Sequence, residues 1–88
     1  MGKQNFRAKK VEEKIPEYII DSGKILHTLT KPRAQQSIAF VQDKDESDFI
    51  NVLHYKTKTG EITNSETIVS KEVEGWLTWL TGLGYIKK

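Results

Sequence analysis

Tyr55 is followed at once by Lys56 and then by Lys58, and Lys31 and Arg33 stand on either side of Pro32. Rings set among cations suit an unpaired nucleic-acid strand. Cations follow its phosphates and a ring carries a stacked base, at about 1–3 kcal/mol per base for any sequence. Gln35, Gln36 and Asn64 add amides able to hydrogen-bond phosphate or base edges, although turns favour such residues on their own account. Catalytic patterns are weak by comparison. His27 and His54 fall in different segments without an evident partner pair. Neither these histidines nor the scattered carboxylates have the close ligand spacing of a zinc site. The acids between Asp43 and Asp48 resemble a calcium loop loosely, but no glycine stands at its turning position. No glycine-rich phosphate cradle, nucleophile elbow or paired-histidine zinc motif occurs. The residues therefore predict a passive binder, not an enzyme, with no metal and no cofactor.

Composition sets the frame for that chemistry. The 88 residues amount to one domain at most. A domain of this size buries only about 60% of its unfolded surface, so it is marginal alone. Cysteine is absent, which removes disulfides and thiolate ligands and fits a reducing compartment. No apolar run approaches the roughly 20 residues of a membrane span, and no secretory leader pattern opens the chain. The expectation is a soluble intracellular protein, cytoplasmic or nucleoid/nuclear, without a membrane partner. The net charge of +2 is uneven: residues 1–14 carry five basic and two acidic side chains, and the rest carries nine and ten. A basic arm on a near-neutral body suits phosphate contact, and its affinity would fall with salt as counterions are released.

The elements that must position these residues follow from the apolar pattern. Residues 1–17 lack periodicity and read as a flexible basic arm, with the domain over 18–88. Tyr18-Ile19-Ile20 offers a short apolar contact, and Asp21-Ser22-Gly23 a turn. Four strands are expected at 24–30, 36–42, 49–57 and 61–69, with a tight turn at Thr59-Gly60. No connection is long enough for a crossover helix, so the strands form an antiparallel meander. A helix starts after Ser70, read as its N-cap, with Glu72 and Glu74 favoured by the dipole in the first turn. Val73, Trp76, Leu77, Leu80 and Leu83 make one apolar face. Gly84, or Gly82 a turn earlier, ends it.

Small residues at Gly75 and Gly82 and a second tryptophan at Trp79, beside the main stripe, leave more apolar surface than one small sheet covers. A second copy is the expected cover.

This order resembles the transcriptional positive cofactor 4 family, small single-stranded-DNA-binding coactivators with bacterial and phage relatives. The resemblance spans roughly residues 24–84. It rests on Leu53-His54-Tyr55, the turn from Lys56 to Thr59 closing on Gly60-Glu61, a polar strand ending in Thr67-Ile68-Val69-Ser70, and a helix with Trp76. It implies an α+β fold: a curved four-stranded antiparallel sheet and one C-terminal helix, dimerising through the helices, with DNA across the sheets. It places Tyr55 where the family has a stacking tryptophan, and Thr63 and Thr67 where it has basic residues. Alternation puts Ile38, Phe40 and Gln42 on one face of the second strand and Ala39 and Val41 on the other. The resemblance turns Ala39 and Val41 to the helix, leaving Phe40 exposed as a second platform.

The expected nucleic-acid surface is Lys31, Arg33, Gln36, Phe40, Gln42, Tyr55, Lys56, Lys58, Thr63 and Asn64. The expected dimer interface is Gly75, Trp76, Trp79, Leu80 and Leu83. The expected partner is single-stranded or melted DNA, bound with little sequence preference by a homodimer in transcription, replication or recombination. Two alternatives stay open: a protein-interaction module contacting a polymerase or a replication or transcription factor, and an RNA-binding sheet domain.

Overall fold

The computed structural model describes residues 23–88. The arm, the contact at Tyr18-Ile19-Ile20 and the turn residues Asp21 and Ser22 lie outside the described residues. Strand β1 (Gly23–Lys31) leads through a 3-10 turn (Pro32–Ala34) into β2 (Gln36–Asp43), followed by β3 (Phe49–Lys56) and β4 (Ile62–Val69). A second 3-10 turn (Ser70–Glu72) opens helix α1 (Val73–Gly82), and a short strand β5 (Ile86–Lys87) follows. The sheet is antiparallel throughout, in the order β4-β3-β2-β1-β5. The meander and single C-terminal helix match the sequence expectation. The count of four strands does not, because β5 pairs with the outer edge of β1 at Leu29 and Thr30.

The fifth strand is a consequence of how the helix ends. Gly84 adopts φ +106, and its N–H donates to Thr81 O at 3.1 Å, while the Tyr85 N–H reaches back to Leu80 O at 3.1 Å. These two bonds form a Schellman motif, which satisfies the last helical carbonyls and reverses the chain. Tyr85 then packs against the core beneath the helix. Ile86 and Lys87 are delivered to the β1 edge, and the Lys88 N–H donates to Thr28 O at 2.8 Å.

The helix start also differs from expectation. Ser70 begins the 3-10 turn, and its N–H donates to Asp48 O at 2.8 Å. The capping acceptor is the Glu72 carboxylate, which takes the Val69 N–H at 3.3 Å. Strand β4 runs directly into the turn, so Ser70 still belongs to the β3–β4 ladder.

Two apolar clusters lie on opposite faces of the sheet. Leu29, Ile38, Phe40, Ile50, Val52 and Ile68 pack with Val73 and Leu80 of the helix, flanked by Leu26, Trp76, Leu77 and Tyr85. Ala39, Val41, Leu53 and Tyr55 form the second cluster, with Ile25 and Ile62 beside it. This corrects the expected facing of β2. Phe40 is fully buried under the helix, and Ala39 and Val41 face away from it. The large side chains Ile38 and Phe40 share their pleat with Leu29, Val52 and Ile50, so only that face has the volume a helix needs. A bulge at Leu26 lets His27 pair with Phe40, and the two rings meet edge to face at 6.1 Å.

Candidate nucleic-acid interface

The meander brings the β1–β2 and β3–β4 turns to the same end of the sheet, because Lys31 pairs with Gln36 and Gln36 with Lys56. Four of the expected cations, Lys31, Arg33, Lys56 and Lys58, therefore gather at one end although two segments supply them.

The two turns are bonded to each other. The Thr57 N–H donates to Gln35 O at 3.0 Å, and Gln35 holds a left-handed φ of 53 that closes the first turn. In the second turn the Gly60 N–H donates to Lys56 O at 2.8 Å and the Lys56 N–H to Glu61 O at 2.9 Å. Gly60 has φ +81, which a side chain would resist. Buried Ser37 and half-buried Thr57 share a hydroxyl hydrogen bond of 2.8 Å beneath them.

Gln36, Lys56, Lys58, Ala34, Gln35 and Thr59 line a groove of about 360 Å³ at this end. Gln36 Nε2 donates to Thr63 Oγ1 at 3.1 Å, and Thr63 Oγ1 approaches His54 O at 3.4 Å. A bulge at the start of β4 places Thr63 in this position. Asn64 stands opposite His54 in the ladder. Lys56 Nζ lies 3.3 Å from Glu61, an exposed pair that water screens and a competing phosphate can displace. An adjoining groove of about 470 Å³ holds Lys31, Pro32 and Arg33 with Leu83, Gly84 and Ile86. There Lys31 Nζ sits 5.6 Å from the centre of the Tyr85 ring.

Three expected site residues are placed elsewhere. Phe40 lies under the helix. Tyr55 is fully buried in the opposite cluster, since the residue after His54 must point to the other face. Neither ring is open to a base, so the expected pair of stacking platforms is not formed. Gln42 lies at the far end of β2, its amide donating to Ser47 O at 3.0 Å. That end carries the acids from Asp43 to Asp48. Asp43 Oδ2 accepts the N–H groups of Asp45 at 3.0 Å and Glu46 at 2.9 Å. Those bonds hold its carboxyl below the usual range and give this acid a turn-closing role. The chain is thus electrically polar along its strands, basic at one end and acidic at the other.

The expected dimer residues also divide. Leu80 is buried in its own core and is not spare surface, whereas Trp76 is half-buried against that core and keeps part of its ring open. Trp79 is 57% exposed and Leu83 45%. A Cβ at Gly75 or Gly82 would meet open space. Gly75, Trp76 and Trp79 line a shallow hollow of about 500 Å³ with Lys71 and Glu72, and the two indoles meet edge to face at 5.6 Å.

Sequence reasoning missed Tyr85 as the partner of Lys31. The signal was Gly84 followed by Tyr85-Ile86, a turn glycine before two strand formers. It also missed His54 as a constrained group. Its Nε2 is buried without a hydrogen-bond partner, and burial pushes its pKa down against the opposing pull of Glu66.

These features define an α+β protein with an antiparallel sheet, one helix and a polar, basic strand end. Comparison with family models, with curated proteins and with solved structures found no match to the chain.

Proposed function

We propose that this protein binds single-stranded or locally melted nucleic acid, without catalysis and with little sequence preference, as a homodimer. The observation that carries the reading is the gathering of Lys31, Arg33, Lys56 and Lys58 around two mutually bonded turns, with the Gln36 amide between them. Phosphates would follow this end of the sheet, and Gln36, Thr63 and Asn64 would supply neutral hydrogen bonds. The mechanism is phosphate neutralisation at a preformed rim. Phe40 and Tyr55 would support it from inside the fold and not as platforms. The resemblance to single-stranded-DNA-binding coactivators supports DNA as the ligand, and transcription, replication or recombination as the setting.

The test is fluorescence anisotropy of a labelled short mixed-sequence oligonucleotide, single-stranded and duplex, DNA and RNA, at two salt concentrations. The expected result is salt-sensitive binding that prefers the single DNA strand. No binding at low salt would end the nucleic-acid reading.

A protein-interaction module is the second reading, and a specific observation favours it. Trp79, Leu83, Ile86 and Phe49 are large apolar side chains left open on the described surface. A polymerase or another replication or transcription factor would be the partner in that case.

A further inference from the structure

The two edges of the sheet are treated differently by the chain. The β1 edge is covered by β5 from Thr28 to Thr30, with Lys87 and Lys88 laid along it. The β4 edge has no neighbour among the described residues. It is eight residues long, ITNSETIV, and Thr63 to Thr67 are all exposed. It carries no lysine, arginine or proline, and Glu66 is its single charge. Edge strands that stay single are blunted by lysine, proline, bulges, inward charges or shortness. β4 has a bulge only at Thr63 and one inward charge, Glu66, and from Asn64 to Val69 its edge is regular and free of lysine and proline.

The outward groups of β4 follow from the ladder phase. The bond from the Ser70 N–H to Asp48 O marks that pair as hydrogen-bonded. Counting in twos, the pairs Ile50–Ile68, Val52–Glu66 and His54–Asn64 exchange bonds within the sheet. Ser65 and Thr67 therefore turn their N–H and C=O groups outward, and so does Val69, whose N–H Glu72 already takes.

We infer that β4 pairs antiparallel with β4 of a second copy, about a two-fold axis at Ser65, joining two sheets into one. This rests only on the dimer part of the proposed function, and it names the interface. Three observations select a second copy as the occupant. First, the strand is self-complementary about Ser65. Asn64 meets Glu66 of the other copy on the helix face, twice by symmetry, as an amide–carboxylate pair. Thr67 then meets Thr63, where the bulge ends the pairing. Second, the two-fold sets the Lys56–Glu61 turn of one copy, with Lys56, Lys58 and Glu61, beside the Asp48–Glu72 end of the other, with Asp48, Lys71 and Glu72, so a net basic turn meets a net acidic end. Third, an axis normal to the sheet keeps both helices on one side. Val73 and Leu80 fix the buried face of the helix, with Trp76 and Leu77 beside them, so Glu74 and Trp79, about 140° apart, fall on opposite flanks. Glu74 is on the flank toward His27 of β1, which its charge reaches, and that leaves Trp79 on the flank nearer β4. The exposed tryptophan flanks of the two copies would thus face each other across the seam.

The chain has no cysteine, so single-cysteine variants report the contact directly. Directly opposed residues of a hydrogen-bonded antiparallel pair have Cα atoms about 5.5 Å apart, within disulfide reach. Full-length Ser65→Cys under mild oxidation is expected to form a disulfide-linked dimer, and sedimentation velocity of the wild type to show a dimer. Thr67→Pro, which removes an outward N–H and the exposed bond from Thr67 Oγ1 to Asn51 Oδ1, is expected to shift the protein to monomer with an unchanged circular dichroism spectrum, and Thr67→Val, which removes the side-chain bond alone, to leave the dimer intact. If Ser65→Cys stays unlinked while Gly75→Cys links, the β4 interface is wrong and the dimer runs through the helices. A wild type that is monomeric at high concentration overturns both the interface and the dimer. An unlinked Ser65→Cys overturns the interface even if Thr67→Pro fails to fold.

Discussion

Phe40 and Tyr55 show how one residue's place in a pleat decides its chemistry. Tyr55 stands beside cations, and the resemblance turns Phe40 away from the helix, so each looks available for stacking. Both have no exposed surface. Phe40→Ala is expected to destabilise the fold by about 3–5 kcal/mol, the usual loss for an emptied aromatic core site. Urea denaturation measures it, and a loss under about 1 kcal/mol would place the ring outside the core. His54 gives a pH prediction. Its folded pKa lies below the ordinary 6.5 because burial disfavours the charged ring. The unfolded chain therefore takes up a proton first as pH falls. Stability from this site is complete above 6.5 and is lost as pH falls through the window between 6.5 and the folded value. Nuclear magnetic resonance titration should place the His54 midpoint below 6.5, and a midpoint above it would contradict the burial.

The helix and its two ends make the same point at the scale of elements. Ser70 has the composition of an N-cap, whose loss would remove about 1 kcal/mol. It is bonded instead through its backbone to Asp48, and Glu72 supplies the capping oxygen. Ser70→Ala is therefore expected to change stability by less than about 0.5 kcal/mol. Gly84→Ala is expected to lose about 1–2 kcal/mol, because φ +106 is a left-handed position that a Cβ opposes. Thermal unfolding of the two variants side by side checks the contrast. A larger loss at Ser70 than at Gly84 would mean that the Schellman motif does not hold β5 on the β1 edge.

At the scale of the whole molecule, the meander converts scattered charges into a polarity along the strands. Lys31, Arg33, Lys56 and Lys58 meet at one end and Asp43, Asp45, Glu46 and Asp48 at the other. If phosphates bind at the basic end, replacing Lys56 and Lys58 with glutamine removes two contacts. The slope of log affinity against log salt for a single strand should then fall by about 1.4, at roughly 0.7 per contact. Oligonucleotide titrations over a salt series measure this, and an unchanged slope would move the contacts away from the β3–β4 turn. The same variant should keep the wild-type melting temperature within about 2–4 °C, since exposed pairs such as Lys56–Glu61 contribute little.

The order of strands and helix was readable because local chemistry determines it. Turn residues at Pro32 and Gly60, β-formers between them and a 3.6-residue apolar stripe from Val73 act over a few positions. Three features needed the folded chain. Alternation separates Phe40 from Ala39 and Val41, but only helix docking selects the face, because the larger side chains must fill the deeper layer. The hydrogen-bonded capture of β5 depends on β1 being the edge strand, which pairing decides and residues 86–87 do not. The expected meander already puts the turns of Lys31–Arg33 and Lys56–Lys58 at one end, but the registers that set Lys31 beside Gln36 and Gln36 beside Lys56 together join segments 20 or more residues apart, so no local pattern contains them.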